Sequence, residues 1–134
     1  MRREGNEFGS TTGRPRRCGW LDLPALKYAI MLNGVNSLIM MKADVLNQFP
    51  VIKICTDYQM NNEVMDTYPF EPGDEQLQLL FREMKGWEGS LTNCRSIAEI
   101  PAELSDYIGF IEKAVGLPIE IISIGPDRLE TLQR

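Results

Sequence analysis

Residues 101–126 read PAELSDYIGFIEKAVGLPIEIISIGP and carry the clearest structural signals of this 134-residue chain. Pro101 is typical of a helix start, and Gly116 is typical of a helix end. The β-branched stretch 119–122 then predicts a strand, which runs into a turn at 123–126. The apolar residues that share one helix face are Leu104, Ile108, Ile111 and Val115. This part of the chain therefore predicts a helix followed by a strand with a turn at its carboxyl end.

Similar signals precede this stretch. Asp22 is a plausible N-cap, and Asn33-Gly34 supplies a left-handed stop, so a helix is predicted over 23–33. The apolar run 38–41 predicts a strand buried on both faces, and 51–58 predicts a second strand.

The middle of the chain, 68–96, is rich in Pro and Gly and predicts mostly loop. One amphipathic stretch, 75–84, predicts a helix within it. Segregated helices and short strands favour an α+β fold with a single small domain. We expect residues 1–19 to form a mobile loop and residues 20–134 to form the α+β domain.

The composition excludes several classes of protein. The chain has no histidine and only three cysteines, Cys18, Cys55 and Cys94, which argues against a zinc site, a disulfide framework and histidine-dependent catalysis. We expect three reduced thiols. The longest apolar run is too short for a membrane span, and no signal segment opens the chain, so a cytoplasmic location without membrane contact is predicted.

Charge is unevenly distributed along the chain. The net charge is −5, yet residues 1–17 contain five arginines and two glutamates and carry +3, which leaves −8 for the rest. The acidic body argues against a nucleic-acid partner. The basic, glycine-rich stretch 9–17 combines hydroxyl groups and guanidinium groups that could bind carboxylates or phosphates. A solvated terminal tail is the alternative interpretation.

Two further segments could recognise a nucleotide base through hydrogen bonds. Lys42-Ala43-Asp44 follows the predicted strand 38–41, and a carboxylate there could accept both donors of the guanine edge while the lysine stem covers the ring. The alternative is that Asp44 caps a short helical turn while Lys42 is solvated. The backbone amides of 123–126 could donate to a base carbonyl such as guanine O6, or the segment could be an ordinary turn.

Four segments, in this order and spacing, resemble the closing third of adenylosuccinate synthetase. The most specific is the block Thr-Gly-Arg-x-Arg-Arg-x-Gly-Trp, which begins at Thr12. The segments are Gly5-Asn6-Glu7-Phe8-Gly9, Thr11 to Asp22, Lys42-Ala43-Asp44 and Ser123 to Asp127. One departure is Ile124, which stands where a threonine is common in that family.

The resemblance implies a GTP-dependent C–N ligase of AMP biosynthesis. Such an enzyme joins IMP and L-aspartate through a 6-phosphoryl-IMP intermediate, uses Mg²⁺ and is a homodimer. The implied aspartate-binding residues are Ser10, Thr11, Thr12, Gly13, Arg14, Pro15 and Arg16, with Arg14 also touching IMP. The implied GTP-binding residues are Arg16, Lys42, Ala43, Asp44, Ser123, Ile124 and Gly125.

The resemblance also implies what this chain lacks. The family's phosphate loop, its catalytic aspartate and histidine, and its Mg²⁺ site belong to the preceding part of the enzyme, so no catalytic or metal-binding residue is predicted here. We therefore expect this chain alone to be inactive. A non-catalytic nucleotide-binding or dimerisation module is the alternative function.

Overall fold

The computed structural model describes all residues, 1–134, as two helices and seven strands in two sheets. The two helices and the two sheets, each with both parallel and antiparallel pairs, confirm the α+β prediction. The elements are β1 (Leu21–Asp22), α1 (Leu23–Asn33), β2 (Leu38–Met40), β3 (Val51–Met60), β4 (Glu63–Met65), β5 (Gln78–Lys85), α2 (Ala102–Val115), β6 (Ile119–Ser123) and β7 (Thr131–Gln133).

Both helices begin and end where their caps predict. The carboxylate of Asp22 accepts a hydrogen bond from the Ala25 N–H at 3.0 Å, which satisfies one free donor of the first turn of α1. Gly34 ends α1 and Gly116 ends α2, each with a left-handed backbone that glycine adopts without steric cost. The helix predictions for these two segments are confirmed.

The first sheet is built around the long strand β3. Strand β1 pairs with β3 in parallel, whereas β4 and β5 pair with it in antiparallel. The predicted helix over 75–84 is wrong, because Gln78–Lys85 is β5. Its pairing with β3 runs from Val51↔Lys85 to Gln59↔Gln78, and these distant partners override the local helical pattern.

The second sheet has the order β2-β6-β7. Strands β2 and β6 are parallel neighbours, so their carboxyl ends meet at the same edge, although about 80 residues of chain separate them. Ligands commonly bind outside the carboxyl ends of parallel strands. This pairing positions the segments that follow β2 and β6 next to each other.

Strand β2 is less buried than predicted. It pairs only with β6, and the Ile39 side chain is 57% exposed, so the prediction of burial on both faces is wrong. Leu38 and Met40 pack against the core, and all three residues of β2 line an open apolar groove of about 260 Å³. The apolar run therefore predicted the strand correctly but did not predict how much of it is buried.

One hydrophobic core joins the two sheets and α2. Trp87 lies fully buried within it, and its indole Nε1–H donates to the Asn47 side-chain oxygen at 2.9 Å. The other members with 2% exposure or less come from both sheets, both helices and the connecting segments: Leu23, Ala43, Ile52, Ile54, Leu91, Leu104, Ile111, Ile119, Ile122 and Ile124. Because Ala43 and Ile124 are core residues, the polar residues beside them are held on a rigid support.

Candidate functional site

A cleft of about 530 Å³ opens at the edge where β2 and β6 end. Lys42 and Asp44 line it after β2, and Ser123 and Gly125 line it at the end of β6. The remaining walls come from the chain start, the segment after β2, the turn before β7 and the first residue of β7: Glu4, Gly5, Asn6, Met41, Val45, Pro126, Asp127, Arg128 and Thr131. The structure thus brings together the two segments that the sequence suggested for base recognition.

Asp44 carries an unpaired buried acceptor in this cleft. It lies in a 3-10 turn, Ala43–Leu46, whose buried Ala43 anchors the segment in the core. The Oδ1 atom of Asp44 is buried and accepts no hydrogen bond. An unsatisfied buried acceptor is costly, so this atom favours a ligand that can donate to it. Asp44 makes no capping hydrogen bond, and the alternative of a helix cap is wrong because Lys42 holds the N-cap position.

Lys42 is fixed at the rim of the cleft. Its backbone is left-handed, with φ 59°, which is uncommon for a residue with a side chain. Its ammonium donates to the Gly5 carbonyl oxygen at 2.7 Å and to the Glu7 carboxylate. The alternative of a merely solvated lysine is therefore wrong, because the start of the chain supplies two acceptors 35 and 37 residues away.

The turn after β6 presents a free backbone amide at Gly125. The Ser123 hydroxyl donates to the Gly125 carbonyl oxygen at 3.0 Å, and the Ile124 N–H donates to the Glu130 carbonyl oxygen at 2.9 Å. These bonds hold the turn in shape and leave the N–H of the buried Gly125 without an acceptor in the chain. Of the two predicted positions beyond the end of β6, Ile124 has a bonded amide and Gly125 has a free one.

The arginine-rich stretch folds back on itself as a loop. Phe8 and Pro15 form an isolated antiparallel bridge, and the Gly9 N–H donates to the Arg14 carbonyl oxygen at 2.8 Å. Gly13 lies in this loop with a left-handed backbone, φ 64°, which glycine adopts without steric cost. The exposed residues between the two ends of the bridge are Ser10, Thr11, Thr12, Gly13 and Arg14. None of these residues lines the cleft.

Glu7 connects the loop to the cleft. One carboxylate oxygen of Glu7 accepts from Lys42, and the other accepts from the Arg16 guanidinium at 3.0 Å. These hydrogen bonds, first from Lys42 and then from Arg16, lower the pKa of the Glu7 carboxyl below its ordinary value. Glu7 is not among the site residues predicted from the sequence, although an acidic residue within an arginine-rich segment is a signal for an internal ion pair.

The structure shows neither a metal-ligand cluster nor a long apolar helix. No three His, Cys, Asp or Glu side chains lie together in a way that could hold a metal ion. Neither helix is long and apolar enough to cross a membrane. The three cysteines are free, as predicted, with Cys18 exposed and Cys55 and Cys94 buried.

Comparisons with known proteins agree with the fold and with the motifs. The sequence profile described as adenylosuccinate synthetase matches residues 1–132. The adenylosuccinate synthetase of Cytophaga hutchinsonii is 56% identical over 133 residues, which are 98% of this chain and 31% of that protein. The Flavobacterium psychrophilum enzyme is 51% identical over 134 residues, 100% of this chain and 32% of that protein.

A solved structure of an adenylosuccinate synthetase contains the same fold. The fully ligated adenylosuccinate synthetase from Plasmodium falciparum superposes with a TM-score of 0.93 at 33% identity, covering 99% of this chain and 32% of that one. The chain therefore spans about a third of the length of the relatives it matches. Since the family profile covers nearly every residue, the chain belongs to the adenylosuccinate synthetase family.

Proposed function

We propose that this chain supplies the guanine-reading and aspartate-holding parts of a GTP-dependent ligase that joins IMP and L-aspartate to form adenylosuccinate. The observation that carries the proposal is the buried, unpaired Oδ1 of Asp44 in a cleft at the ends of two parallel strands. Family membership supports the same reaction, since the relatives are adenylosuccinate synthetases.

Asp44 is the specificity group of the proposed base site. Guanine presents two parallel donors, N1–H and the exocyclic amine, and a carboxylate can accept both. Adenine has an acceptor at N1 and would leave the buried oxygen unsatisfied. The half-exposed stem of Lys42 lines the same cleft and can cover the ring face.

Gly125 completes the base site in this proposal. Its free N–H can donate to the guanine O6, which is the acceptor that distinguishes guanine from adenine at that position. Ser123 and Ile124 act by fixing the turn that presents this amide.

The exposed loop holds the anionic ligands. Arg14 has no side-chain partner within the chain, so its guanidinium is available for a carboxylate of L-aspartate and for IMP. Arg16 uses one guanidinium nitrogen in its exposed ion pair with Glu7, so its other donors can reach toward the GTP phosphates. The hydroxyls of Ser10, Thr11 and Thr12 supply further donors.

The resemblance also implies features that lie outside this chain. We expect Mg²⁺ to bind elsewhere in the full-length enzyme, and we expect that enzyme to be a cytoplasmic homodimer. Three unpaired thiols are in keeping with a reducing compartment.

A chimera tests the proposed function. This chain replaces the matching 133-residue segment of the Cytophaga hutchinsonii relative, and adenylosuccinate formation from IMP, L-aspartate and GTP with Mg²⁺ is measured. We expect an active chimera that does not accept ATP in place of GTP, and an inactive 134-residue chain. A correctly folded chimera that forms no adenylosuccinate would contradict the proposal.

A further inference from the structure

We propose that Glu7 is a positioning residue that fixes Lys42 as a wall of the base site and links that site to the arginine-rich loop. This inference rests on the proposed function, because it assigns the cleft to a guanine nucleotide. It is carried by the geometry of one carboxylate shared between two cations.

The Lys42 side chain is anchored at its ammonium. Its ammonium has two acceptors, the Gly5 carbonyl oxygen at 2.7 Å and the Glu7 carboxylate, and both belong to the chain start. A lysine side chain loses considerable rotamer freedom when its end is fixed. Gly5 and Glu7 fix the Lys42 side chain in the absence of a ligand. A nucleotide base that enters the cleft therefore contacts a lysine stem that is already positioned there.

Glu7, and not the nearby Glu4, is the glutamate that holds Lys42. Glu4 lines the same cleft and carries the same charge, but it forms no ion pair and no side-chain hydrogen bond. Glu7 is partly covered, with 23% of its side chain exposed, and it contacts Lys42 and Arg16 at once. The anchoring of Lys42 therefore depends on the position of the Glu7 carboxylate and not only on the presence of a negative charge nearby.

Glu7 also connects Lys42 to the arginine-rich loop through Arg16. Arg16 donates to the Glu7 oxygen that does not contact Lys42, and the Arg16 N–H donates to the Glu7 carbonyl oxygen at 3.0 Å. The base of the loop is thus joined to the residue that holds Lys42. Binding at the base site and at the loop should favour each other, and by linkage this coupling is reciprocal.

The test measures GDP affinity by titration calorimetry in the full-length chimera and its variants. Glu7→Gln removes the charge that holds Lys42, and Lys42→Met removes the ammonium. The matched control is Glu63→Gln, at an exposed glutamate that has no ion pair and lies outside the cleft. We expect Glu7→Gln and Lys42→Met each to raise the Kd for GDP about fivefold, the double variant to match Lys42→Met alone, and Glu63→Gln to change nothing.

A second readout separates positioning from general stability. We expect Glu7→Gln to raise the KM for L-aspartate at subsaturating GTP while kcat and the unfolding midpoint stay close to those of the parent chimera.

Either of two results would overturn this inference while leaving the proposed function intact: Glu7→Gln behaves like Glu63→Gln, or its effect adds in full to that of Lys42→Met. A parent chimera that binds no GDP would overturn both proposals together.

Discussion

The Tyr58 hydroxyl donates a 2.6 Å hydrogen bond to the carboxylate oxygen of Asp22 that does not cap α1. Asp22 therefore joins the central strand of the first sheet to the start of the helix that follows the arginine-rich segment. Burial, and then this hydrogen bond, raise the pKa of Tyr58, so the hydroxyl keeps the proton it donates well into the alkaline range.

Replacing Tyr58 by phenylalanine should destabilise the chain by about 2 kcal/mol, because it leaves one oxygen of a part-buried carboxylate without its donor. Urea unfolding measures the change. The control is Tyr28→Phe, whose ring is 42% exposed and whose hydroxyl has no partner in the chain. Equal stabilities for the two variants would show that the Asp22 contact contributes nothing.

Gly86 should tolerate no side chain. A Cβ placed there would lie 1.7 Å from the Phe49 carbonyl oxygen, and a backbone atom cannot move aside cheaply. Because the next residue, Trp87, is fully buried, Gly86→Ala should cost about 3 kcal/mol or more in the free energy of unfolding.

The control for this prediction is Gly73→Ala, since nothing lies within 4 Å of the added methyl group and the backbone there has no left-handed strain. Thermal unfolding of both variants is the measurement. A Gly86→Ala chain as stable as Gly73→Ala would contradict the packing described around Trp87.

The thiols should differ in reactivity. Cys18 is exposed, whereas Cys55 is buried, and that burial raises its pKa to about 11. At pH 8 we expect one thiol of the native chain to react quickly with a disulfide reagent and all three to react after unfolding, since the thiolate is the nucleophile. Cys18→Ser should abolish the fast phase, and a fast phase that survives this change would show that a buried cysteine opens readily.

Local signals predicted both helices because their caps are local. Asp22, Gly34 and Gly116 each act within one turn of the chain, so their meaning does not depend on tertiary context. The strand Gln78–Lys85 could not be predicted in the same way. Its apolar residues fit either period, and pairing with β3, more than 18 residues away in sequence at every position, decides between them.

The site was predictable in parts but not in its assembly. The chemistry of Asp44 and the turn at Ser123 could be inferred from residue types and flanking strands. Their common cleft depends on β2 and β6 being parallel neighbours, and no local pattern specifies that pairing. The contact of Glu7 with Lys42 spans 35 residues and is likewise a product of the fold.

The central claim is that Asp44 reads guanine, and the most direct measurement is the affinity of the full-length chimera for GDP and for xanthosine diphosphate, with Asp44 or with asparagine at that position. The asparagine amide can donate to the xanthine O2 that replaces the guanine amine, so the preference should reverse. We predict that Asp44→Asn weakens GDP by about 2 kcal/mol and strengthens xanthosine diphosphate. Unchanged GDP affinity in the Asp44→Asn chimera would contradict the account.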